Sequence, residues 1–236
     1  RGPPRWLGAQ LLASQLWAGA GAGAAPGEVL LATFGGEGGT THAWRQMNDP
    51  VMGGRSTGSF RVAEEDGVGI FDGEVVDVPF LKAPGFIKAQ TSDAIPFMRA
   101  FPDISSCKAI ALVVKASSAY AGYRFSFGNA HPVEGKFFAY GFKAHFAPPT
   151  GAFGQVELPL ESFTDYWDDA TGDPIKTCQD DDKYCPDANT LKDMRTMAIW
   201  AEGVAGKVHL EIREVRAIRC GGGDAAGGGE APRFHV

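Results

Sequence analysis

The sequence is short of the residues that most metal, nucleic-acid and membrane proteins depend on, and each shortage excludes something. Only 4 of its 236 residues are cysteines, at positions 107, 178, 185 and 220, and no two are spaced Cys-x-x-Cys. The 5 histidines (His42, His131, His145, His209 and His235) are scattered without a ligand spacing. A zinc site is therefore not expected. Positive charge is never concentrated: 22 Lys+Arg stand against 28 Asp+Glu, for a formal net charge of −6. Phosphate backbones and anionic membrane surfaces call for a Lys/Arg face, so neither nucleic acid nor direct membrane binding is expected. No apolar run is long enough to cross a bilayer as a helix. There is no His-Glu-x-x-His, no phosphate loop and no dinucleotide fingerprint, and the chain is expected to be non-catalytic and free of cofactors. Asp168-Asp169 and Asp180-Asp181-Asp182 place carboxylates side by side, but in a turn-rich stretch where solvated charge is the ordinary explanation. The aspartate triplet also lacks the alternation and glycine of a calcium loop, so no metal is assigned to it.

What the chain does have is apolar residues in plenty, 44% of the total with 16 phenylalanines, enough for a sizeable core. From Val29 onward their period is two. Runs at 29–34, 60–64, 86–91, 109–116, 123–127, 153–158, 196–202 and 208–218 read as strands separated by Gly, Pro, Asn and Asp turns. Residues 68–78 read as a longer strand with Ile70 in phase with its neighbours two apart and a bulge at Gly73. Phe138, Tyr140, Phe142, Ala144 and Phe146 form one face of another long strand, with Lys143 and His145 on the other. Only 189–193 looks helical. About ten short strands without a long helix indicate an all-β protein, an antiparallel sandwich or barrel.

Two ends fall outside this pattern. Residues 1–28 combine a basic start, a short apolar stretch broken by Gln10 and Gln15, and an Ala-x-Ala exit, the layout of an export signal; an extended amphipathic arm is the alternative. Residues 220–236 form a Gly-rich tail whose composition cannot build a core. The sandwich domain is thus expected over 29–219.

The most distinctive stretch is 44–60. It opens on Trp44, passes through Asn48, Asp49 and Pro50, turns at Gly53-Gly54, and becomes a strand after Arg55 and Ser56. Proline pushes Asp49 toward extended backbone, and the glycines admit positive φ or close approach of another backbone. Asp49 and Ser56 are expected to cap the turn, with Trp44 covering the adjacent end of the core. Together with Val51 and Met52, this run resembles the signature of the complex I intermediate-associated protein 30 family. The resemblance continues through Phe71-Asp72-Gly73, Gly85-Phe86, Val156-Glu157-Leu158-Pro159-Leu160 with Phe163, and 206–212. It departs where Pro84-Gly85 replaces a double glycine, and in an insert over 166–187.

The resemblance implies a jelly-roll sandwich similar to galactose-binding domains. It further implies a non-catalytic assembly factor or accessory subunit for a membrane-embedded electron-transfer complex, photosynthetic or respiratory, reached at the membrane through its partners. Candidate binding residues are Trp44, Asn48, Asp49, Met52, Gly53, Gly54, Arg55 and Ser56 in the signature, and Tyr166 and Trp167 in the insert, where an amphipathic aromatic pair suits a protein interface. The same two groups could instead supply the aromatic platform and hydrogen-bonders of a carbohydrate-binding module. Cys178 and Cys185 bracket six residues, a loop short enough for a disulfide if its ends approach; a Cys107–Cys220 bridge and four reduced thiols remain open. An acidic chain with an Ala-x-Ala exit and a possible disulfide, taken with the plastid association that the family resemblance implies, points to the plastid thylakoid lumen, with the mitochondrial matrix as the alternative.

Overall fold

A computed structural model of the chain describes residues 25–49, 53–92, 100–129, 141–168 and 171–221. Its strands are β1 (Val29–Thr33), β2 (Trp44–Asn48), β3 (Thr57–Ala63), β4 (Val68–Val75), β5 (Asp77–Val78), β6 (Ala83–Pro84) and β7 (Phe86–Thr91) in the first half. The second half supplies β8 (Ala109–Ala116), β9 (Tyr123–Gly128), β10 (Phe142–His145), β11 (Gly154–Pro159), β12 (Thr196–Glu202) and β13 (Gly206–Ile218). One helix of a single turn or so, α1 (Ala188–Lys192), is capped by the Asp187 carboxylate, which accepts from the Asn189 and Thr190 amides.

Two antiparallel sheets face each other. The first runs β11-β8-β13-β4-β3, with β1 pairing the far end of β13; the second runs β10-β9-β12-β7-β2. Alternate residues of each strand point between the sheets, so Ile110, Leu112 and Val114 of one layer meet Phe125, Phe127 and Ile199 of the other in a single core. The long strand β13 changes phase on the way. Val208, Leu210 and Ile212 face the core, and a register shift between Ile212 and Glu214 then brings Val215 and Ala217 inward. That bulge is why even positions are apolar before it and odd positions after it.

Several expectations need correcting. The strand read over 68–78 ends at Val75, and β5 pairs only with β6 in a short separate hairpin. Its core phase is odd: Phe71 and Val75 join the core and Ile70 does not. Gly73 is no bulge, since its pairing with Gly58 sits in an unbroken register. It is glycine for want of space, because a methyl group there would come within 2.5 Å of Ile87 Cδ1. Gly58 is packed on the same isoleucine, and Gly69 would strike Phe34 and Phe60 at 2.7 Å. The two sheets close down over glycines at this end. The strand expected through Phe138 and Tyr140 is present from Phe142; its earlier part lies outside the described residues. There Phe142, Ala144 and Phe146 are buried as the alternation predicts, but Lys143 on the opposite face is buried as well. The helical segment begins one residue earlier than the 189–193 expected.

Candidate functional site

The signature residues collect where the sheets close. Trp44 lies between Phe34 and Phe60, at 5.5 and 5.0 Å between ring centroids, so the aromatic anchor is turned into the sandwich. At the other end of β2, Asn48 Oδ1 accepts from the Gly58 amide at 2.8 Å and ties one sheet to the other. The Asp49 amide donates to Phe86 O at 3.0 Å, and the Asp49 carboxyl is buried against two glycines. A methyl on Gly54 would overlap that carboxyl, lying 2.7 Å from Oδ1; one on Gly85 would overlap it too and lie 2.7 Å from Ser56 Oγ.

This differs from the capped turn expected. Ser56 Oγ accepts from the Val76 amide at 3.0 Å, and Gly85 N donates to Val76 O at 2.9 Å, so Ser56 fastens the loop to the β5–β6 neck. Positive φ belongs to Gly53, at 80°, while Gly54 is required only by the approach of Asp49. Arg55 is exposed and Met52 lies outside the described residues. Gly54-Arg55-Ser56-Thr57-Gly58 also spells Gly-x-Ser-x-Gly, against the expectation of no catalytic motif. In a hydrolase that serine stands exposed on a strand-to-helix turn. Ser56 is 3% exposed, leads into a strand, and has its hydroxyl engaged by Val76, so the pattern is not a nucleophile elbow here. Phe71-Asp72-Gly73 and Gly85-Phe86 converge on the same end, whereas the 156–160 part of the signature lies on β11 and the residue following it, at the opposite edge of the first sheet, with Phe163 packed on Phe125 and Phe127.

A different face holds the concentrated chemistry. On the outer side of the second sheet, neighbouring strands place Lys88, Arg124, Lys143, Trp200 and Glu202 side by side, all buried. Register brings this about: Trp200 pairs with both Lys88 and Arg124, and Lys143 pairs with Ser126. Lys143 Nζ donates to Glu202 Oε1 at 2.7 Å and lies 4.4 Å from the Trp167 ring centroid and 4.5 Å from that of Trp200. Cation–π contacts and a short ion pair together hold its Nζ between the two indoles and Glu202. Lys88 Nζ lies 4.5 Å from the Trp200 ring and donates to Gln90 Oε1 at 3.0 Å. Arg124 reaches into the insert: Nε donates to Gly172 O at 2.9 Å, and Nη2 to Asp173 Oδ1 at 2.9 Å. Its Nε also stands 3.7 Å from Glu202 Oε1.

The insert forms a lid on this face. Trp167 bridges to Pro174, and Asp168 N donates to Asp173 O at 2.8 Å, closing a tight loop; Asp169 is outside the described residues. Beneath the loop is a pocket of about 220 Å³ whose walls include Arg124, Lys143, His145, Thr164, Trp167 and Asp173. Tyr166 points elsewhere, 44% exposed and stacked on Tyr184 at 5.5 Å. Cys178 and Cys185 are bonded to each other, as are Cys107 and Cys220. Asp180 accepts from the Thr177 amide and hydroxyl and Asp181 from the Lys183 amide, so these carboxylates cap their own loop. Both are held below the usual aspartate range, first of all by those backbone bonds. Among the described residues, no three His, Cys, Asp or Glu side chains are grouped to hold a metal.

Sequence reasoning missed this buried cluster. Its signal is a charged residue in the polar phase of each of several apolar strands: Lys88, Arg124, Lys143 and Glu202. Which of them meet depends on register between strands far apart in sequence, and no local pattern encodes that.

Lys88 gives the cluster a measurable signature. Burial, aided by the charge of Lys143 and opposed by Glu202, lowers its pKa from 10.5 to about 8. An unfolded chain holds this proton up to about 10.5, so between roughly pH 8 and 10.5 the unfolded state binds more protons and stability rises with pH. A shift of this size corresponds to about 3 kcal/mol at about 1.4 kcal/mol per unit. Lys88→Met should therefore be stabilised relative to wild type at pH 7, with the gap closing by about that amount toward pH 10.5. Paired urea titrations across this range check it; a gap independent of pH would refute the assignment.

Residues 33–179, more than half of the chain, match the family described as Complex I intermediate-associated protein 30 (CIA30). No curated protein sequence matches the chain significantly. Among solved structures, a family 11 carbohydrate-binding module from Clostridium thermocellum, in complex with a β-1,3-1,4-mixed-linked tetrasaccharide, is similar at a TM-score of 0.50 and 15% identity. It covers 84% of this chain and 98% of that one. The family 11 module of the cellulosomal cellulase Lic26A-Cel5E, from the same organism, has a TM-score of 0.49 and 16% identity over 83% and 96% of the two chains. At such identity the first likeness speaks for the fold alone, an antiparallel jelly-roll sandwich of the galactose-binding-like kind.

Proposed function

The chain belongs to the complex I intermediate-associated protein 30 family, and on that premise we propose that it is a non-catalytic assembly factor or accessory subunit of a membrane-embedded electron-transfer complex, photosynthetic or respiratory. The observation that carries this reading is the ordered aromatic surface of the insert. Tyr166 is exposed yet fixed against Tyr184, beside the Cys178–Cys185 bridge, and Ile175, 48% exposed, donates its amide to Tyr166 O. Aromatic residues ordered before binding lose little entropy in forming an interface. The signature residues support the reading differently, since they brace the sandwich and leave recognition to the insert. Membrane association is then peripheral, through the partner.

Two disulfides persist best in an oxidising compartment, which favours the thylakoid lumen of a plastid over the mitochondrial matrix as the place of action. Affinity purification from solubilised native membranes tests the proposal. The chain should co-migrate with a large pigment or redox complex, and the double variant Tyr166→Ala/Tyr184→Ala should be released from it. A monomer that never co-purifies with such a complex yet binds a defined sugar would overturn the reading in favour of a carbohydrate-binding module.

A further inference from the structure

Two phenols of the insert meet face to face at the surface. The Tyr166 and Tyr184 ring centroids are 5.5 Å apart and their planes lie 20° from parallel. Tyr166 is 44% exposed and Tyr184 half-buried, so an oxidant in solution reaches the pair. Both backbones are pinned. Tyr166 N donates to Thr164 Oγ1 at 3.0 Å, and Tyr166 O accepts from Ile175 N at 3.0 Å. Tyr184 N donates to Asp181 O at 3.0 Å, and the next residue, Cys185, is bonded to Cys178. Tyr120 and Tyr123 form a contrasting pair. Their rings are 5.0 Å apart but meet edge-on at 78°, Tyr123 is fully buried, and the two hydroxyls donate to Val204 O and His209 O. Burial pushes both of these phenols up in pKa, Tyr123 to about 12, so they hold their protons firmly.

We propose that Tyr166 and Tyr184 are an oxidative cross-linking site, coupling to dityrosine within one chain when a one-electron oxidant is present. Two equivalents of oxidant remove one electron from each phenol, and each phenol gives its proton to water. A cation against a ring opposes loss of an electron from it, so Tyr166 is oxidised before Tyr184, whose ring centroid has Lys183 Nζ at 4.7 Å. The two phenoxyl radicals then form one carbon–carbon bond between ring carbons ortho to the oxygens. The hydrogens on those carbons move to the oxygens and restore both phenols. The chain has lost two hydrogens, and the oxidant has gained two electrons. Exposed side chains reorient within nanoseconds, far faster than phenoxyl radicals decay, so stacked rings bring their ortho carbons together in time. Reactants held in contact also outcompete a second chain in dilute solution. The product is a covalent tie across the insert beside the Cys178–Cys185 bridge, and it fixes the aromatic pad permanently. This goes beyond the assembly role and does not rest on it.

The test is photo-oxidation of the full chain by tris(bipyridine)ruthenium(II) with persulfate as electron acceptor. N-acetyltyrosinamide treated in parallel confirms delivery of the oxidant. Monomeric product should show dityrosine fluorescence, a mass lower by two hydrogens, and a cross-linked peptide joining Tyr166 to Tyr184. Its yield per chain should stay within about twofold when the protein is diluted about tenfold, as an intramolecular step demands. Tyr166→Phe and Tyr184→Phe keep a ring to stack but lack the phenol, and each should lower the yield at least about tenfold, whereas Tyr120→Phe should leave it within about twofold. A yield that falls with dilution, a cross-link mapped to another pair, persistence in Tyr184→Phe, or no dityrosine where N-acetyltyrosinamide couples would overturn the proposal. None of these results bears on co-purification with a membrane complex, so the two readings fail separately.

Discussion

Replacing Cys107 and Cys220 together by serine should cost about 5 kcal/mol of stability, roughly a 10–20 °C fall in the unfolding midpoint for a domain of this size. The two residues are 113 apart in sequence. In the folded protein the bridge adds little positioning, because Ala109 and Ile218 are already paired in the β8–β13 ladder and Lys108 N donates to Ile218 O at 3.1 Å. Its effect lies in the unfolded chain, where it closes a loop holding everything from β8 to β13. The Cys178–Cys185 bridge closes a separation of 7 and should be worth only about 2 kcal/mol by the same chain-entropy argument. Chaotrope titrations of the two double variants against wild type give the order directly. If the short bridge proved the more stabilising, loop entropy would not be the dominant contribution of either.

The second large effect concerns the glycines around Asp49. Gly85→Ala should destabilise by about 2–4 kcal/mol, since its new methyl must displace the Asp49 carboxyl or Ser56 Oγ within a closed end of the sandwich. Gly54→Ala should behave alike, as its methyl strikes the same carboxyl. Gly53→Ala meets nothing within 4 Å and bears only the strain of φ 80°, about 1 kcal/mol. A double-mutant cycle separates contact from backbone. In an Asp49→Ala background, Gly54→Ala should lose most of its penalty, whereas Gly85→Ala should keep the part due to Ser56 and Gly53→Ala should keep all of its own. Equal penalties in both backgrounds would show that Asp49 is not what the glycines accommodate.

These glycines also show how far the sequence could be read. Strand phases were legible wherever one face is apolar and the other polar, as over 208–212 of β13, because alternation reports directly on burial; the shift of phase beyond Ile212 was not, since a bulge leaves no local mark. They misled in β4, where Gly69 and Gly73 occupy core positions and leave Ile70 as the most conspicuous apolar residue. A glycine facing a core has no side chain to announce the phase, and its reason, here Phe34 at the end of β1 for Gly69 and Ile87 on the other layer for Gly73, lies elsewhere in the chain. The signature was legible as a turn with an aromatic anchor. Its partners, Val76 for Ser56 and Gly85 for Asp49, were not, because they arrive from a hairpin about twenty to thirty-six residues downstream. Lys143 was read as the wet side of its strand and is buried, since the insert lays Trp167 across it.

The meeting of β1 with the end of β13 has a mechanical consequence. Val29 pairs with Ala217 and Thr33 with Glu214, and just outside them Cys220 N donates to Gly27 O at 2.9 Å. Both strands therefore present their outer ends at one corner, and tension applied across that corner would load the rungs one after another. This is an unzipping geometry, which yields at far lower force than shearing rungs in unison. The yielding has a stop. Once β1 has peeled away, the pull on β13 passes through the Cys107–Cys220 bond into β8, and the 113-residue span behind it cannot pay out. A tether attached at this corner would draw out only chain on the N-terminal side of Cys107, while everything between the two cysteines stays locked.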